Sequence, residues 1–300
     1  MTTSTPSFYS LPSHLEGDAL RLNQQHQVFR LLLAPTNPQS TLLLTLIPSS
    51  PPLRILDLGT GTGIWASEFA TEHPTTSVLG IDLFPPSFPS PSNCTYAVLN
   101  IEGSDTEWDS IVPPGTFDLV HTRMVLMTLR NPHDVLRKIF RALKVGGRVE
   151  FQEKQDPYRT DDPGEEAQNT PVLRNSRLRI EAAKRCGLDR TIAGKLAGWM
   201  EGIGFGSVEV EEKRIPIGGW MEEVEELRVA GEKWRECLVW GTMGFCKRVF
   251  MEGFGWSEEE VERNVREAVE DLGRGRVYGA MLFVTGRKGD VSVQGLALGV

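Results

Sequence analysis

Two carboxylates and three glycines occupy spacings that suit contact with a nucleotide-like ligand. Asp57 ends an apolar run in the segment RILDLGTGTGIW, and Gly59, Gly61 and Gly63 follow at alternate positions. Glycine lets a backbone pass close to a ligand because it carries no side chain. Asp82 follows at the spacing of about 20 residues at which an acidic side chain takes the hydroxyls of a ribose. The pattern predicts a site for a molecule that contains a ribose.

Two cofactor classes compete for this pattern, the dinucleotides and S-adenosylmethionine. Dinucleotide sites need G-x-G-x-x-G, because the pyrophosphate sits at the N-terminus of the following helix. Here the third glycine comes one residue early, Ile64 stands where that motif has glycine, and there is no P-loop lysine. Asp57 would repel a pyrophosphate but would favour a cation. Since S-adenosyl-L-methionine carries a sulfonium and an ammonium but no phosphate, the pattern favours this cofactor.

The composition of the whole chain excludes several classes of protein. The chain has 300 residues, a formal net charge of −8 and 40% hydrophobic residues, which is typical of a soluble globular protein. An acidic balance without any basic run argues against nucleic acid as a partner. The aliphatic run TLLLTLI at 41–47 is too short to cross a bilayer, so we expect no membrane association.

The cysteines and the N-terminal residues indicate the cellular compartment of the protein. The four cysteines lie far apart without a C-x-x-C pair, which argues against a disulfide framework or zinc knuckle and fits a reducing compartment. Five scattered histidines offer no metal spacing, so we expect no metal. The first residues lack the pattern of a secretory signal. We expect a cytoplasmic protein, with the nucleus as the alternative.

Short β-rich runs alternate with helical runs from Leu53 onward. The predicted strands lie at 53–58, 77–83, 95–101, 116–122, 147–153, 206–212 and 280–288. A helix should end before Pro74, and another should begin at Asn131 and end at Gly146. Ser257 and Glu260 form a predicted capping box, and residues 15–33 suggest one or two amphipathic helices. This β-α alternation predicts a parallel sheet with helices on both faces.

These segments make the chain recognisable: it resembles the class I methyltransferases, and more narrowly the fungal LaeA-like family of secondary metabolism. The likeness covers about residues 9–288, from YSLPSHLEGDALRLNQQH through RILDLGTGTGIW, VLGIDLFP, NIE, FDLVHTRM and LKVGGRVEFQE to GFGWSEEE and FVTGRK. It implies an α/β fold with a Rossmann-like seven-stranded sheet whose last strand is antiparallel. Two departures are Asn100, where the family usually has an acid, and KVGG instead of KPGG.

The same resemblance implies an organisation in five segments. We expect an N-terminal helical cap at 1–50, a cofactor-binding core at 51–153, and an acceptor lid with the sixth strand at 154–278. The last strand follows at 279–288, and a loose tail at 289–300. The lid holds several tryptophans and methionines, which often line an apolar pocket although ordinary core packing is their commoner role.

The resemblance also suggests which side chains meet the cofactor. Asn100, Ile101 and Glu102 would contact the adenine edge, and Leu83 is a further predicted cofactor-binding residue. Arg21 could pair with the cofactor's carboxylate, although a surface position suits it equally. His26, five residues later, would point about 140° away from Arg21 on a helix.

Two residues at strand ends are candidates for the chemistry. His121 ends the fourth predicted strand, where an open sheet presents ligands, so it could contact the cofactor or take a proton from the acceptor. Burial as a hydrogen-bonded core histidine is the competing interpretation. Glu153 ends the fifth strand and could orient the acceptor, although a solvated carboxylate is the simpler interpretation.

Two functions fit these features. The first is methyl transfer from S-adenosylmethionine to oxygen or nitrogen of a small metabolite, which requires positioning, exclusion of water and a destination for any proton. The second is a regulatory protein that acts through protein partners, since the family contains such members and the Glu-rich helices could be docking faces. The sequence names no particular acceptor, because one fold serves many substrates.

Overall fold

A seven-stranded sheet organises the part of the chain that the computed structural model describes, residues 16–33, 52–86 and 88–289. The strand order is β3-β2-β1-β4-β5-β7-β6. The first five strands pair in parallel, whereas β7 pairs antiparallel with both β5 and β6. The strands are β1 Arg54–Leu58, β2 Ser77–Asp82, β3 Cys94–Val98, β4 Phe117–Arg123, β5 Leu143–Thr160, β6 Phe205–Pro216 and β7 Val277–Lys288. The predicted mixed sheet with an antiparallel last strand is confirmed.

Helices cover both faces of this sheet, as its buried strands require. They are α1 Glu16–Leu33, α2 Ile64–Glu72, α3 Asp105–Ile111, α4 Pro132–Ala142, α5 Pro171–Arg185, α6 Leu196–Ile203, α7 Glu225–Phe254 and α8 Glu258–Asp271. No described helix is long and apolar enough to cross a membrane.

The apolar core lies in two layers on opposite faces of the sheet. One layer packs α3, α4 and α6 against side chains such as Leu56, Val120 and Phe151. The other packs α1 and α7 against the β7 side chains Met281 and Phe283. Helices α5, α7 and α8 share a further cluster of their own. The sheet is therefore fixed from both sides, and its carboxyl edge lies beneath α1 and α7.

Local sequence signals explain several element boundaries. Ser257 accepts a hydrogen bond from Glu260 N while the Glu260 side chain accepts from Ser257 N, so the predicted capping box at the start of α8 is present. In the glycine-rich segment 201–207, Gly204 connects the end of α6 to the start of β6 in a left-handed conformation at φ 110°. Helix α2 ends at Glu72, before Pro74, as predicted.

Some predicted boundaries were wrong. Strand β5 does not end at 153 but continues to Thr160, across the predicted border between core and lid. Helix α4 ends at Ala142 rather than Gly146, and Asn131 makes no side-chain capping bond. Helix α3, begun by Ser104 as a side-chain cap, was not predicted. The aliphatic run 41–47, the N-terminal 15 residues and the tail after 289 lie outside the described residues.

Candidate active site

A cavity of about 240 Å³ opens at the carboxyl edge of the sheet, the edge where open α/β sheets bind ligands. Its floor comes from the loops and residues that follow strands β1 to β4, together with the far half of β5. Helices α1 and α7 pack against each other and supply the opposite wall. Of the predicted site residues, Arg21, Gly59, Gly61, Asp82, Leu83, Asn100, Ile101 and Glu102 line this cavity.

The glycine loop brings bare backbone to the cavity. Gly59 has φ +74°, and a side chain there would overlap Val125 Cγ2. Gly61 has φ +59°, but a Cβ there would have only Leu22 Cδ1 nearby, at 3.5 Å. Gly59 is therefore required by the protein's own packing, whereas the space at Gly61 lies on the cavity side.

Asp82 is positioned by backbone donors. Its Oδ2 accepts from Gly61 N at 2.8 Å and its Oδ1 accepts from Leu83 N at 2.7 Å. Burial raises the pKa of this carboxyl group, and the backbone hydrogen bonds act in the opposite direction. A carboxylate offers about four acceptor positions, so Asp82 retains acceptor capacity toward the cavity after fixing the glycine loop.

The turn after β3 forms the next part of the wall. Asn100 Oδ1 accepts from Glu102 N at 3.0 Å, and Glu102 Oε1 accepts from Arg130 N and Asn131 N at the start of α4. Ile101 adds an apolar surface. The wall continues with the apolar side chains of Leu99, Met127 and Leu129. A flat, mainly apolar slot therefore lies beside the polar edge of Asn100.

Asp57 and His121 lie behind this wall rather than in it. His121 Nδ1 is 2.7 Å from Asp57 Oδ1, and Thr60 Oγ1 donates to Asp57 Oδ2 at 2.6 Å. The imidazole stacks on Trp65, with ring centroids 3.7 Å apart. His121 is 1% exposed and Asp57 is 3% exposed. Neither residue lines the cavity, so the geometry does not support the predicted contact of either side chain with a ligand, nor His121 as a base.

Gly63 also lies away from the cavity wall. It begins helix α2 with φ 83°, and its carbonyl oxygen accepts from Tyr96 Oη at 3.1 Å. A Cβ at this position would lie 2.6 Å from the same hydroxyl. The third glycine of the motif therefore accommodates Tyr96 rather than a predicted ligand.

Arg21 and His26 on α1 point in different directions, as their five-residue spacing predicts. Arg21 lines the cavity, and Asp18 and Gln25 hold its guanidinium through Nε at 2.8 Å and Nη1 at 3.2 Å. His26 instead contacts Glu68, with Nε2 at 2.9 Å from Oε2. Burial lowers the pKa of His26. Helix α1 thus presents one cation to the cavity and uses its buried histidine to bind α2.

Glu153 is buried, which corrects the expectation of a solvated carboxylate. Its Oε1 accepts from Val125 N and Leu126 N, both at 2.9 Å. Burial raises the pKa of Glu153 to about 7. The side chain does not line the cavity, and it fixes the segment after β4 that does.

The far end of the cavity holds polar side chains that the sequence analysis missed: Lys154, Tyr158, Arg179 and Arg190. The first two follow the predicted end of β5, and the other two come from α5 and the loop after it. Of the tryptophans and methionines expected in the lid, Trp234 lines the cavity, whereas Trp240 is 53% exposed. Residues 154–278, the predicted lid, therefore contribute charged as well as apolar side chains to the cavity.

Comparison with known proteins decides the family. A family described as a methyltransferase domain matches residues 25–210. The chain belongs to this family. The match confirms the predicted enzyme class, a methyltransferase with S-adenosyl-L-methionine as the methyl donor.

Several curated relatives of this methyltransferase come from fungi. It is 29% identical to methyltransferase pytC of Aspergillus terreus over 80% of this chain and 71% of the relative. It is 25% identical to methyltransferase cpsF of Aspergillus campestris over 92% and 96%. The secondary metabolism regulator laeA of Aspergillus fumigatus is 27% identical over 70% of this chain and 55% of its own length.

A solved structure supports the fold of the methyltransferase. The phosphoethanolamine N-methyltransferase 2 of Haemonchus contortus, in complex with S-adenosyl-L-methionine, aligns with a TM-score of 0.51 at 16% identity. The alignment covers 97% of this chain but 62% of that enzyme, so this chain spans less than two thirds of its length.

Proposed function

We propose that this methyltransferase transfers a methyl group from S-adenosylmethionine to an oxygen or nitrogen atom of a small secondary metabolite. The observation that carries the proposal is the cavity itself. It extends from Asp82 and the glycine loop to the apolar face of α7 and the polar end of β5. Cofactor and acceptor can therefore meet inside one continuous cavity. The fungal methyltransferases pytC and cpsF support the reaction, methyl transfer.

The residues that line the near end fit the cofactor. Asp82 accepts from three backbone N–H groups and retains about one acceptor position for a ribose hydroxyl. The slot beside Asn100 and Ile101 suits a flat base with a polar edge. Gly61 leaves room for the methionyl part, and Arg21 supplies a cation for its carboxylate. When bound, the cofactor supplies a methyl group on a positively charged sulfur, which needs no covalent help from the protein.

The remaining work of this chain is positioning and exclusion of water. Asp57 joins β4 to the glycine loop through His121 and Thr60. Helices α1 and α7 pack together over the cavity, and a Cβ at Gly241 would lie 3.1 Å from Arg21 Cδ. A neutral amine acceptor needs no base before attack, whereas a hydroxyl acceptor must lose its proton. We assign no general base among the predicted residues.

Asp82→Ala tests the cofactor site. Calorimetry with S-adenosylhomocysteine should show binding to the parent protein and a severe loss in the variant, because the variant lacks the ribose acceptor and the anchor of Gly61. Asp109→Ala is the matched control, since Asp109 pairs with Arg141 on the surface and does not line the cavity. Unchanged affinity in Asp82→Ala would contradict the assignment of this site.

Isotope transfer tests the acceptor class. The protein is incubated with S-adenosylmethionine labelled in its methyl group and with a fungal metabolite extract, and labelled products are separated by size. We expect label in molecules small enough to pass a dialysis membrane. Label that enters only protein would contradict the small-molecule acceptor.

The likeness to the laeA regulator favours a second candidate, a protein that acts through partners. Its support is the 27% identity over 70% of this chain and the exposed α7 residue Trp240, at 53%. A stable complex in a pull-down, together with no labelled small product, would favour this candidate over the first. The absence of nucleic acid among the partners and the cytoplasmic location stay predictions.

A further inference from the structure

Five buried polar side chains meet at the far end of the cavity. Lys154, Asp156 and Tyr158 alternate along β5 and are 2%, 1% and 4% exposed. Arg179 comes from α5, and Arg190 follows that helix; they are 4% and 7% exposed. Buried charges are costly unless they are paired. The cluster is the most highly charged part of the cavity wall, and neither the glycine loop nor the cofactor end uses it.

Asp156 pairs with two of the three cations. Its Oδ1 accepts from Lys154 Nζ, and its Oδ2 accepts from Arg190 Nε at 2.8 Å. Arg190 also attracts the Glu153 carboxyl group on the other face of the strand. The attraction of Lys154 and Arg190 outweighs burial and holds the pKa of Asp156 well below its usual range. These charges therefore satisfy one another without a ligand.

Arg179 is different: Tyr158 and Asp156 attract its charge, but two of its three guanidinium nitrogens make no hydrogen bond to the described residues. Among the described residues, Nε and Nη2 of Arg179 have no hydrogen-bond partner, and the same holds for Tyr158 Oη. The guanidinium carbon lies 4.8 Å from the centre of the Tyr158 ring. Both side chains line the cavity. A buried donor without an acceptor costs free energy, so these atoms are suited to a ligand that brings acceptors.

The geometry of the free donors selects the ligand group. Nε and Nη2 form one side of the guanidinium fork, whose two parallel N–H bonds match the two oxygens of a carboxylate. Tyr158 Oη adds a third donor beside them. A phosphate monoester, with three terminal oxygens and up to two charges, is the competing group for these donors, and the probes below distinguish the two. The remaining cavity wall, with Trp234, Leu238 and Phe245 on α7, suits an apolar body.

We propose that the acceptor is an organic acid with an apolar body, and that its carboxylate binds Arg179 and Tyr158. This inference rests on the proposed methyl transfer to a small molecule and specifies its acceptor. The anchored carboxylate would fix the acceptor at the α5 end of the cavity, so that another part of the molecule reaches toward the cofactor end. Trp234 and Phe245 would cover the apolar body.

Binding of two probes of nearly equal shape tests the proposal. Calorimetry uses protein saturated with S-adenosylhomocysteine and compares indole-3-acetate with indole-3-acetamide, which differ mainly in charge. We expect the acid to bind at least about tenfold more tightly, the factor that one charge-assisted hydrogen bond provides. Equal affinities, or no binding of either probe at millimolar concentration, would overturn the proposal. Phenyl phosphate is the third probe, and tighter binding of this phosphate would overturn the choice of carboxylate.

Variants test whether Arg179 and Tyr158 cause the preference for the acid over the amide. Arg179→Gln should remove the preference for the acid, and Tyr158→Phe, which deletes one hydroxyl, should reduce it several-fold. Arg185→Gln, on the same helix but exposed and paired with Glu181, should retain it. If Arg179→Gln does not fold, Tyr158→Phe alone decides, and a full preference in that variant contradicts the proposed contact.

Cofactor binding separates this inference from the proposed function. S-adenosylhomocysteine should bind Arg179→Gln and Tyr158→Phe as tightly as it binds the parent. A large loss of this affinity would assign the fork to the cofactor's own carboxylate and overturn the inference. Failure of the parent itself to bind S-adenosylhomocysteine would instead contradict the proposed function.

Discussion

His121→Phe distinguishes a structural histidine from a catalytic one. The phenyl ring retains the stacking on Trp65 but removes the Nδ1–H that lies 2.7 Å from Asp57 Oδ1. Asp57 keeps its hydrogen bond from Thr60, yet one buried oxygen loses its donor. The variant should therefore lose stability first, because an ionised carboxylate without its full set of donors is costly inside a protein.

The structure sets the size of this effect. A hydrogen bond to a charged group contributes about 1.5–3 kcal/mol to the free energy of unfolding. At roughly 2 °C per kcal/mol, the value for a chain of this size, Tm should fall by about 3–6 °C. Asp57→Asn combined with His121→Phe should cost less than the sum of the single changes, since the two residues form one interaction.

Measurements of thermal unfolding and of turnover together distinguish a structural His121 from a catalytic one. His133→Phe is the matched control, because His133 packs edge-on against Trp199 and not against a carboxylate. At saturating S-adenosylmethionine, His121→Phe should keep most of its turnover with the metabolite extract. A loss of about 10²–10⁴-fold, the usual effect of removing a general base, with Tm and cofactor affinity unchanged, would refute this reasoning and return His121 to the active site.

Two further predictions concern the residues around Val125. Gly59→Ala should destabilise the protein, because the new methyl group overlaps Val125 Cγ2 and left-handed backbone costs about 1–2 kcal/mol for other residues. Adding Val125→Ala should restore only the stability that the overlap costs, because the left-handed backbone remains strained. A full return of Tm to the parent value would contradict the backbone argument. Because burial raises the pKa of Glu153 to about 7 from a usual 4.5, the folded state keeps a proton that the unfolded chain loses. That stabilisation, roughly 3 kcal/mol, is complete below about pH 4.5 and is lost as the pH rises to about 7. Denaturant unfolding should show the loss in the parent and not in Glu153→Gln; parallel pH profiles would contradict it.

The local rules of the sequence predicted the near end of the site. The glycine loop, Asp82 and the turn at Asn100 all follow strands, and a parallel sheet brings the carboxyl ends of its strands to one edge. Glycine spacing and the position of the acid are short-range features that need no knowledge of distant packing. For this reason most residues that line this end of the cavity could be named before the fold was known, and their contact with the cofactor stays a prediction.

His121 shows what such rules leave out. Strand β4 alternates its side chains between the two faces, and His121 stands beside Asp57 in the register of β1 and β4. The sequence indicates that the strand ends near this histidine but does not indicate which face is open. Trp65, the second residue of the motif's own helix, covers the imidazole. The segment RILDLGTGTGIW therefore contains both the glycines of the predicted cofactor site and the Trp65 ring that covers His121.

The polar end was missed because of Pro157. A proline cannot donate to a sheet and usually marks an edge or a bulge, so ending the fifth strand at 153 was the simple interpretation. The pairing of β5 with β7 does shift its register between Gln155 and Arg159, and the strand resumes beyond the irregularity. Lys154 and Tyr158 can therefore reach the same cavity. Arg179 lies on the next helix, and only the packing of that helix on β5 brings its fork to Tyr158. A bulge that the sequence presents as a strand end is thus what extends the cavity to its charged end, where we propose that the acceptor binds.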